Sequence, residues 1–128
     1  YRPERREDRK IKKTEADLAL RLVRNPDIAA AAAARRPRPF TVGFAAETND
    51  VLAHAREKLA RKGLDLIVAN DVARSDIGFD SDYNEVCLVS PEGETPLGRG
   101  TKAELARALI GEIATRLHAS QTGRTSSP

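Results

Sequence analysis

Apolar and polar positions alternate in blocks along this chain, and the blocks predict strands and helices in turn. The period of two from Leu18 to Arg24 favours a strand, although Ala, Leu and Arg also suit a helix. The next residues favour the strand, because Asn25 is a strong N-cap and Pro26 suits the first position of a helix through the following alanines. We therefore predict a β-to-α turn at this point.

The same alternation continues through the middle of the chain. Residues 40–45 predict a short strand, and a helix follows it with Asn49 or Thr48 as its cap and Gly63 as its C-terminal stop. The apolar run 64–69 is typical of a strand that is buried on both faces. This region again predicts a strand, a helix and a strand.

The last third of the chain predicts a hairpin and a long helix. Two strands flank a turn at residues 91–94, and an amphipathic helix over 101–118 begins with a capping box. Strands that alternate with helices predict an α/β chain with a three-layer, Rossmann-like fold and a mainly parallel sheet. We divide the chain into a basic mobile loop (1–14), one α/β unit (15–118) and a disordered tail (119–128).

The composition narrows the class of protein. Hydrophobic residues make up 40% of the chain and aromatic residues 4%, so the core must rest on aliphatic side chains. No apolar run reaches the length of a membrane span, and no membrane partner is expected. Cys87 is the single cysteine, which fits a reducing, cytoplasmic compartment. The chain starts at Tyr1 and contains no Met, so we expect it to be a fragment.

Positive charge is concentrated at the beginning of the chain. Residues 1–13 hold seven basic and three acidic side chains, whereas the remainder is nearly balanced. Three lysines within 10–13 suit a loop that closes over a polyphosphate. A solvated charged arm and a nucleic-acid-binding tail are open alternatives. Beyond Tyr1 the arm has no aromatic residue, so base stacking is not supported.

Ligands of open parallel sheets bind beyond the carboxyl ends of the strands. Three stretches occupy such positions in the predicted fold, namely 25–28, 43–48 and 69–72. None of them is a Walker A or GxGxxG loop. Phe44 either stacks on a base or, as is more common, lies in the core. Lys58 and Lys62 share one helix face, for which an ordinary solvent-exposed surface is the favoured interpretation.

The sequence predicts no metal site. Asp76, Asp80 and Asp82 do not meet the spacing of an EF-hand loop, which also lacks its closing Glu here. His54 and His118 lie on predicted helices without an evident metal partner. We therefore assign no metal-ligating residue.

Five motifs follow one another along the chain. They are Lys10-Ile11-Lys12-Lys13, Arg24-Asn25-Pro26-Asp27-Ile28, Val42-Gly43-Phe44-Ala45-Ala46-Glu47-Thr48, Leu64-Asp65-Leu66-Ile67-Val68-Ala69-Asn70-Asp71-Val72 and Gly78-Phe79-Asp80-Ser81-Asp82. In this order and spacing they resemble the bacterial phosphopantothenoylcysteine synthetase family, and the resemblance extends from Tyr1 to about His118. In many bacteria this synthetase follows a flavin-dependent decarboxylase in one bifunctional protein.

The resemblance implies a phosphopantothenate–cysteine ligase of coenzyme A biosynthesis. In such an enzyme the carboxylate of 4′-phosphopantothenate attacks the α-phosphate of CTP, which gives an acyl cytidylate and pyrophosphate. The amine of cysteine then displaces CMP. The implied ligands are CTP, 4′-phosphopantothenate, cysteine and a Mg²⁺ ion with the triphosphate. FMN is implied only where a decarboxylase domain precedes, and no nucleic-acid partner is expected.

The resemblance also implies the roles of individual residues. Lys10 matches the family lysine that contacts the nucleotide phosphates and helps activation, so it is the implied catalytic residue. The implied nucleotide-binding residues are Lys10, Pro26, Asp27, Ile28, Ala29, Phe44, Lys58 and Lys62. Family members dimerise, and the region 70–98 is the expected contact, with higher-order assembly where a decarboxylase is fused.

Two departures from the family matter. The chain begins just after a family Asp that contacts the nucleotide and lacks the upstream half, so we expect a partial domain that is inactive alone. The segment between Lys13 and Leu18 is shorter than in some relatives, which leaves closure of a substrate-covering flap open. The alternative function is a non-catalytic nucleotide- or nucleic-acid-binding module that uses the basic arm.

Overall fold

The structure is a computed structural model that describes residues 1–10, 17–73 and 82–125. Helices and two separate sheets make up this part of the chain. The strands are β1 Arg2–Pro3, β2 Leu22–Val23, β3 Val42–Glu47, β4 Leu66–Asp71, β5 Tyr83–Ser90 and β6 Gly93–Thr101. The helices are α1 Ile28–Ala33, α2 Val51–Lys62 and α3 Lys102–Thr125.

The central sheet has four strands in the order β3-β4-β5-β6. β3 and β4 are parallel, and helix α2 forms the crossover between them. β5 and β6 are antiparallel because only Pro91 and Glu92 separate them. β4 and β5 are also antiparallel, since their connection, residues 72–82, is shorter than the dozen or so residues that a parallel crossover needs. The α/β class is confirmed, but the expectation of a mainly parallel sheet is wrong for the strands described.

Helices cover both faces of the central sheet, which gives three layers. One apolar cluster joins the sheet to α1 and α2, and a second joins it to α3. The first contains Ala33, Ala45, Ala55, Leu59, Leu64, Ile67, Ala69 and Val89, and the second contains Leu66, Val68, Val86, Leu88 and Leu105. The three-layer expectation is confirmed, and both clusters are built from aliphatic side chains, as the scarcity of aromatic residues predicts.

Strand β4 lies at the centre of the core. Its residues Leu66 to Ala69 are each at most 2% exposed. Leu66 and Val68 point toward α3, whereas Ile67 and Ala69 point toward α1 and α2, because successive side chains of a strand alternate between its faces. The prediction of a strand buried on both faces is confirmed.

The stretch 18–24, predicted as a strand, lies outside the central sheet. Only β2 is extended there, and it pairs with β1 of the basic arm in an antiparallel two-stranded sheet. Nη1 of Arg2 donates a hydrogen bond to the carbonyl oxygen of Arg24 at 2.8 Å, which supports this pairing. Leu18 and Leu20 are 70% and 63% exposed, so their alternation does not mark a core strand.

Helix α1 begins at Ile28, later than predicted. Its cap is Asp27 and not Asn25, because Oδ1 of Asp27 accepts the backbone N–H of Ala30 at 3.1 Å. Pro26 therefore precedes the cap and does not occupy the first helical position. The sequence predicted the helix correctly but placed its cap two residues early.

Helix α2 also has a cap that differs from the prediction. Asp50 takes the N-cap position in a left-handed conformation (φ 44°) without a side-chain hydrogen bond, in place of Asn49 or Thr48. At the other end Gly63 has φ 68°, a conformation that glycine adopts without strain. Gly63 as the C-terminal stop is confirmed.

Helix α3 starts as predicted and runs further than predicted. Oγ1 of Thr101 accepts the backbone N–H of Glu104 at 3.1 Å, which is the first half of a capping box. The helix continues to Thr125, past the expected end at His118, since no proline interrupts residues 119–125. Residues 119–125, which the sequence assigns to the tail, continue this helix, and 126–128 lie outside the described part. No helix within the described ranges is long and apolar enough to cross a membrane.

Candidate functional site

A carboxylate at the start of α1 binds a lysine at the end of α2. One oxygen of Asp27 caps α1 through Ala30, and the other, Oδ2, lies 3.2 Å from Nζ of Lys62. The backbone N–H of Ala30 and then the Lys62 ammonium group lower the pKa of Asp27 below its ordinary value. Asp27 and Lys62 were both predicted as nucleotide residues, and the structure brings them into direct contact.

A second carboxylate binds the other predicted lysine. Glu47 is the last residue of β3, and its Oε1 accepts a hydrogen bond from Nζ of Lys58. Its Oε2 lies 3.4 Å from Nδ1 of His54. The hydrogen bond from Lys58 is the main cause that lowers the pKa of Glu47, and the neighbouring His54 contributes less. The Glu47 side chain is only 15% exposed, so this contact is largely covered.

These two ion pairs form a row, which we call the paired-lysine row and define as Glu47, Lys58, Asp27 and Lys62. The lysines are four residues apart on α2 and therefore point from the same face of the helix. Their side chains are 33% and 28% exposed, so an ordinary solvent-exposed surface does not describe them. The row places two ammonium groups side by side, each opposite one carboxylate, between the carboxyl end of β3 and the start of α1.

Phe44 lies on the other side of β3. Its side chain is 73% exposed, so the interpretation of a core phenylalanine is wrong. Alternation along the strand places Phe44 with Val42, which packs against the α3 cluster, whereas Ala45 belongs to the cluster of α1 and α2. Glu47 shares the side of Ala45. Phe44 is therefore separated from the lysines by the thickness of the strand.

The residues around Asp27 differ in burial. Pro26 is exposed, and the side chain of Ile28 is 81% exposed at the first position of α1. Ala29 is half-buried and packs against the cluster of α1 and α2. Pro26 and Ile28 are thus open to a ligand that reaches Asp27, while Ala29 anchors the helix to the core.

Lys10 is exposed at the end of the first described range. A cleft is lined by residues of the arm between Pro3 and Arg9 and by residues 18–21, and none of the predicted nucleotide residues lines it. Lys12 and Lys13 lie outside the described residues. The structure therefore brings Asp27, Lys58 and Lys62 together but does not bring Lys10 to them.

The described residues contain no cluster of side chains that could bind a metal ion. No group of three or more His, Cys, Asp or Glu side chains suited to a metal ion occurs in these ranges. Asp76 and Asp80 lie outside them. The assignment of no metal-ligating residue stays a prediction.

Sequence reasoning assigned no role to Glu47 or His54, although Glu47 was part of a quoted motif. Their pairing depends on which side of β3 faces α2. The alternation of side chains along a strand does not by itself determine which side faces the helix. The usable signal was a charged residue at the end of an apolar strand, directly before a helix that carries two lysines on one face.

The family of DNA/pantothenate metabolism flavoprotein C-terminal domains matches residues 1–117 of the chain. The chain is similar to proteins named coenzyme A biosynthesis bifunctional protein CoaBC. It is 46% identical to that of Vibrio vulnificus strain YJ016 over 118 residues, which cover 90% of the chain and 29% of the relative. It is 49% identical to that of Escherichia coli K12 over 111 residues, which cover 84% and 27%. The chain thus spans less than a third of these relatives.

Two solved structures share the fold. One is the crystal structure of the C-terminal domain of a coenzyme A biosynthesis bifunctional protein CoaBC, with a TM-score of 0.64 and 31% identity over 78% of this chain and 46% of that one. The other is the DNA/pantothenate metabolism flavoprotein from Streptococcus pneumoniae, with a TM-score of 0.65 and 25% identity over 84% of this chain and 46% of that one. The chain spans about half of each.

Proposed function

This chain belongs to the family of DNA/pantothenate metabolism flavoprotein C-terminal domains, and from that membership we propose that it forms part of a phosphopantothenate–cysteine ligase of coenzyme A biosynthesis. The observation that carries the proposal is the extent of the family match, since residues 1–117 contain every candidate nucleotide residue. The names of the bifunctional relatives and the shared fold support it. Because the chain spans less than a third of those relatives, we assign it only part of the site.

The proposed reaction has two steps. A carboxylate oxygen of 4′-phosphopantothenate bonds to the α-phosphorus of CTP, and the bond from that phosphorus to the bridging oxygen of the β-phosphate breaks to release pyrophosphate. The cysteine amine then bonds to the acyl carbon, CMP leaves with the electrons of the carbon–oxygen bond, and the amine loses a proton to solvent. Negative charge at the phosphates calls for cations beside them in the first step.

We assign two of these cations to Lys58 and Lys62. Both are partly covered, which weakens the screening of their charges by solvent. In this proposal each ammonium group exchanges its carboxylate partner for a phosphate oxygen of the nucleotide. Lys10 supplies a third cation from the basic arm and is the catalytic residue, which its exposed position permits.

We assign the cytidine end of the nucleotide to the outer edge of β3. Phe44 and Glu47 are three residues apart on this strand, a distance of about 10 Å, and lie on opposite sides of it. A nucleotide that crosses the edge contacts Phe44 with its base and Lys58 with its phosphates. The exposed ring of Phe44 supports this arrangement. The residues 26–29 border the phosphate end, because Asp27 among them binds Lys62.

Mg²⁺ enters the proposal as the counter-ion of CTP. The described residues offer no cluster of metal ligands, and Asp27 and Glu47 are each paired with a lysine. The residues that the structure describes therefore do not fit a resident metal, and we assign the metal ligands to phosphate oxygens and water. FMN belongs only to a decarboxylase domain that precedes this chain in a longer protein.

The assembly of the enzyme is also a proposal. We expect a cytoplasmic homodimer with its contact in the region 70–98, and a higher-order assembly where a decarboxylase domain is fused. Within this region Tyr83 is 48% exposed, and the guanidinium group of Arg99 lies 5.6 Å from the centre of its ring. An exposed aromatic ring of this kind is typical of interface residues.

The experiment that tests the function compares Lys10→Gln with Arg9→Gln in the natural full-length protein. Both changes remove one positive charge from adjacent exposed positions. We expect Lys10→Gln to nearly abolish formation of phosphopantothenoylcysteine and CMP, measured by mass spectrometry, and Arg9→Gln to leave it within about twofold, as surface substitutions do. Equal activity of the two variants would contradict the role of Lys10. Binding of nucleic acid with a steep dependence on salt, without product, would favour the alternative module instead.

A further inference from the structure

The carboxyl group of Glu47 is divided between two side chains of α2. Its Oε1 accepts the hydrogen bond from Lys58, and its Oε2 faces Nδ1 of His54. The backbone of Glu47 is fixed as well, because its carbonyl oxygen accepts the N–H of Val72 at 2.9 Å and the residue pairs with Asp71 of β4. Glu47 is therefore a rigid anchor at the carboxyl end of β3, and the flexible Lys58 is held by it.

We propose that Glu47 is a positioning residue for Lys58: it fixes the ammonium group at the end of β3 while the site is empty and gives that group up to a phosphate when a nucleoside triphosphate binds. This inference rests on the proposed function, since it takes Lys58 to bind the nucleotide. It goes further by assigning a role to a carboxylate that carries the same charge sign as the ligand.

The contact of Glu47 differs from that of Asp27 in one respect. Asp27 binds Lys62 with one oxygen and caps α1 with the other, so any change there also alters a helix end. The oxygens of Glu47 are engaged by the side chains of Lys58 and His54. The carboxylate of Asp71, its neighbour on β4, accepts the N–H of Ala73 at 2.9 Å and so has a separate partner. A change of the Glu47 carboxyl group therefore acts on the side chains of Lys58 and His54 and leaves the helix cap at Asp27 intact.

The exchange has a consequence for affinity. While Glu47 holds Lys58, an incoming phosphate must first displace the carboxylate of Glu47 from the ammonium group. Glu47→Gln removes the carboxylate charge that competes for Lys58 and keeps a side chain of nearly the same shape. The variant should bind a triphosphate more tightly, whereas damage to the fold would weaken binding.

The test is a double-mutant cycle for CTP binding, measured by calorimetry on the natural full-length protein without phosphopantothenate. Glu47→Gln, Lys58→Gln and the double variant are compared, with Glu57→Gln as the control. Glu57 lies on the same helix, is 58% exposed and pairs with Arg61, so its change alters the net charge equally. We expect Glu47→Gln to lower the dissociation constant about three- to fivefold, the size of a partly exposed ion pair, and to have no effect in the Lys58→Gln background.

Two results would overturn the inference. In the first, Glu47→Gln has the same dissociation constant for CTP as Glu57→Gln. In the second, Glu47→Gln lowers the dissociation constant equally in the presence and absence of Lys58, so Glu47 acts only through its charge and not through the lysine. If the unsubstituted protein does not bind CTP, the proposed function fails, and the pairing is then decided by the NMR signal of the Lys58 ammonium group. A signal that Glu47→Gln leaves unchanged contradicts the positioning role on its own.

Discussion

Oδ2 of Asp27 lies 3.2 Å from Nζ of Lys62, and this contact joins the start of α1 to the end of α2. The same carboxylate caps α1 through the N–H of Ala30. The side chain of Asp27 thus caps α1 and also holds Lys62, a lysine of the candidate site. The stability of this corner and the position of Lys62 are therefore coupled.

Substitutions of Asp27 should separate its two tasks. Asp27→Asn keeps an oxygen that can cap α1 but removes the charge that binds Lys62, whereas Asp27→Ala removes both. We expect urea unfolding of the chain to show a small loss of stability for Asp27→Asn and a clearly larger one for Asp27→Ala. Asp50→Asn is the control, because Asp50 makes no side-chain cap bond and Asn tolerates its positive φ. A loss for Asp50→Asn equal to that for Asp27→Ala would count against the cap.

The two carboxylates predict how stability depends on pH. The pKa values of Asp27 and Glu47 are lowered from ordinary values of 3.8 and 4.5. A folded-state pKa below the unfolded one adds stability above the unfolded value, and this stability is lost as pH falls through the folded pKa. We therefore expect the free energy of unfolding to fall as the pH drops below about 5.

Urea unfolding at several pH values checks this expectation. The variant with both Asp27→Asn and Glu47→Gln should show a shallower acid dependence than the unsubstituted chain, since neither position then titrates. An acid slope that is identical in the two proteins would assign the pH dependence to other groups.

Gly43 predicts a steric limit on the side of β3 that faces α2. A Cβ atom there would lie 2.7 Å from Cδ1 of Leu64, which is only 5% exposed and has little room to move. We expect Gly43→Ala to destabilise the chain by about 1–3 kcal/mol, as overpacking does. Gly111→Ala in α3 is the matched control, because nothing lies within 4 Å of its added Cβ. It should stabilise the helix by about 0.5–1 kcal/mol. Equal unfolding midpoints for the two variants would contradict this packing.

Leu66 tests the centre of the core. It is 0% exposed on β4, so Leu66→Ala should lower the free energy of unfolding by about 2–5 kcal/mol through lost burial and a cavity. Ile110→Ala on α3 removes apolar volume from a side chain that is 64% exposed, and should change stability by less than about 0.5 kcal/mol. Denaturant unfolding measures both. If Ile110→Ala lowered the free energy of unfolding as much as Leu66→Ala, the exposed position of Ile110 on α3 would be contradicted.

Local signals in the sequence predicted much of this fold. Gly63 and Thr101 were predicted as helix boundaries because their effects act within one turn of the chain. The buried strand β4 was predicted because its run of apolar residues is uninterrupted over 66–69. The antiparallel direction of β5 was not predicted. The direction of this strand depends on the length of the connection between β4 and β5, and the apolar pattern within the strand does not reveal it.

The candidate site was predicted in part. The shared face of Lys58 and Lys62 follows from helical spacing alone, but their carboxylate partners come from β3 and the start of α1 and require the fold. Phe44 was interpreted as core from its type, whereas its exposure follows from the position of β3 as the outer strand of the sheet. Lys10 rests on the family resemblance, because the structure gives it no contact with the other candidates.

Release of pyrophosphate by the natural full-length protein in the absence of cysteine tests the proposed ligase most directly. The two-step reaction predicts release with CTP and 4′-phosphopantothenate together, to about one equivalent per site, and CMP only after cysteine is added. It predicts no release with CTP alone, and strong loss in Lys58→Gln and Lys62→Gln but not in the control Glu57→Gln. Pyrophosphate release that needs no phosphopantothenate, or that is unchanged when both lysines are replaced, would contradict the account.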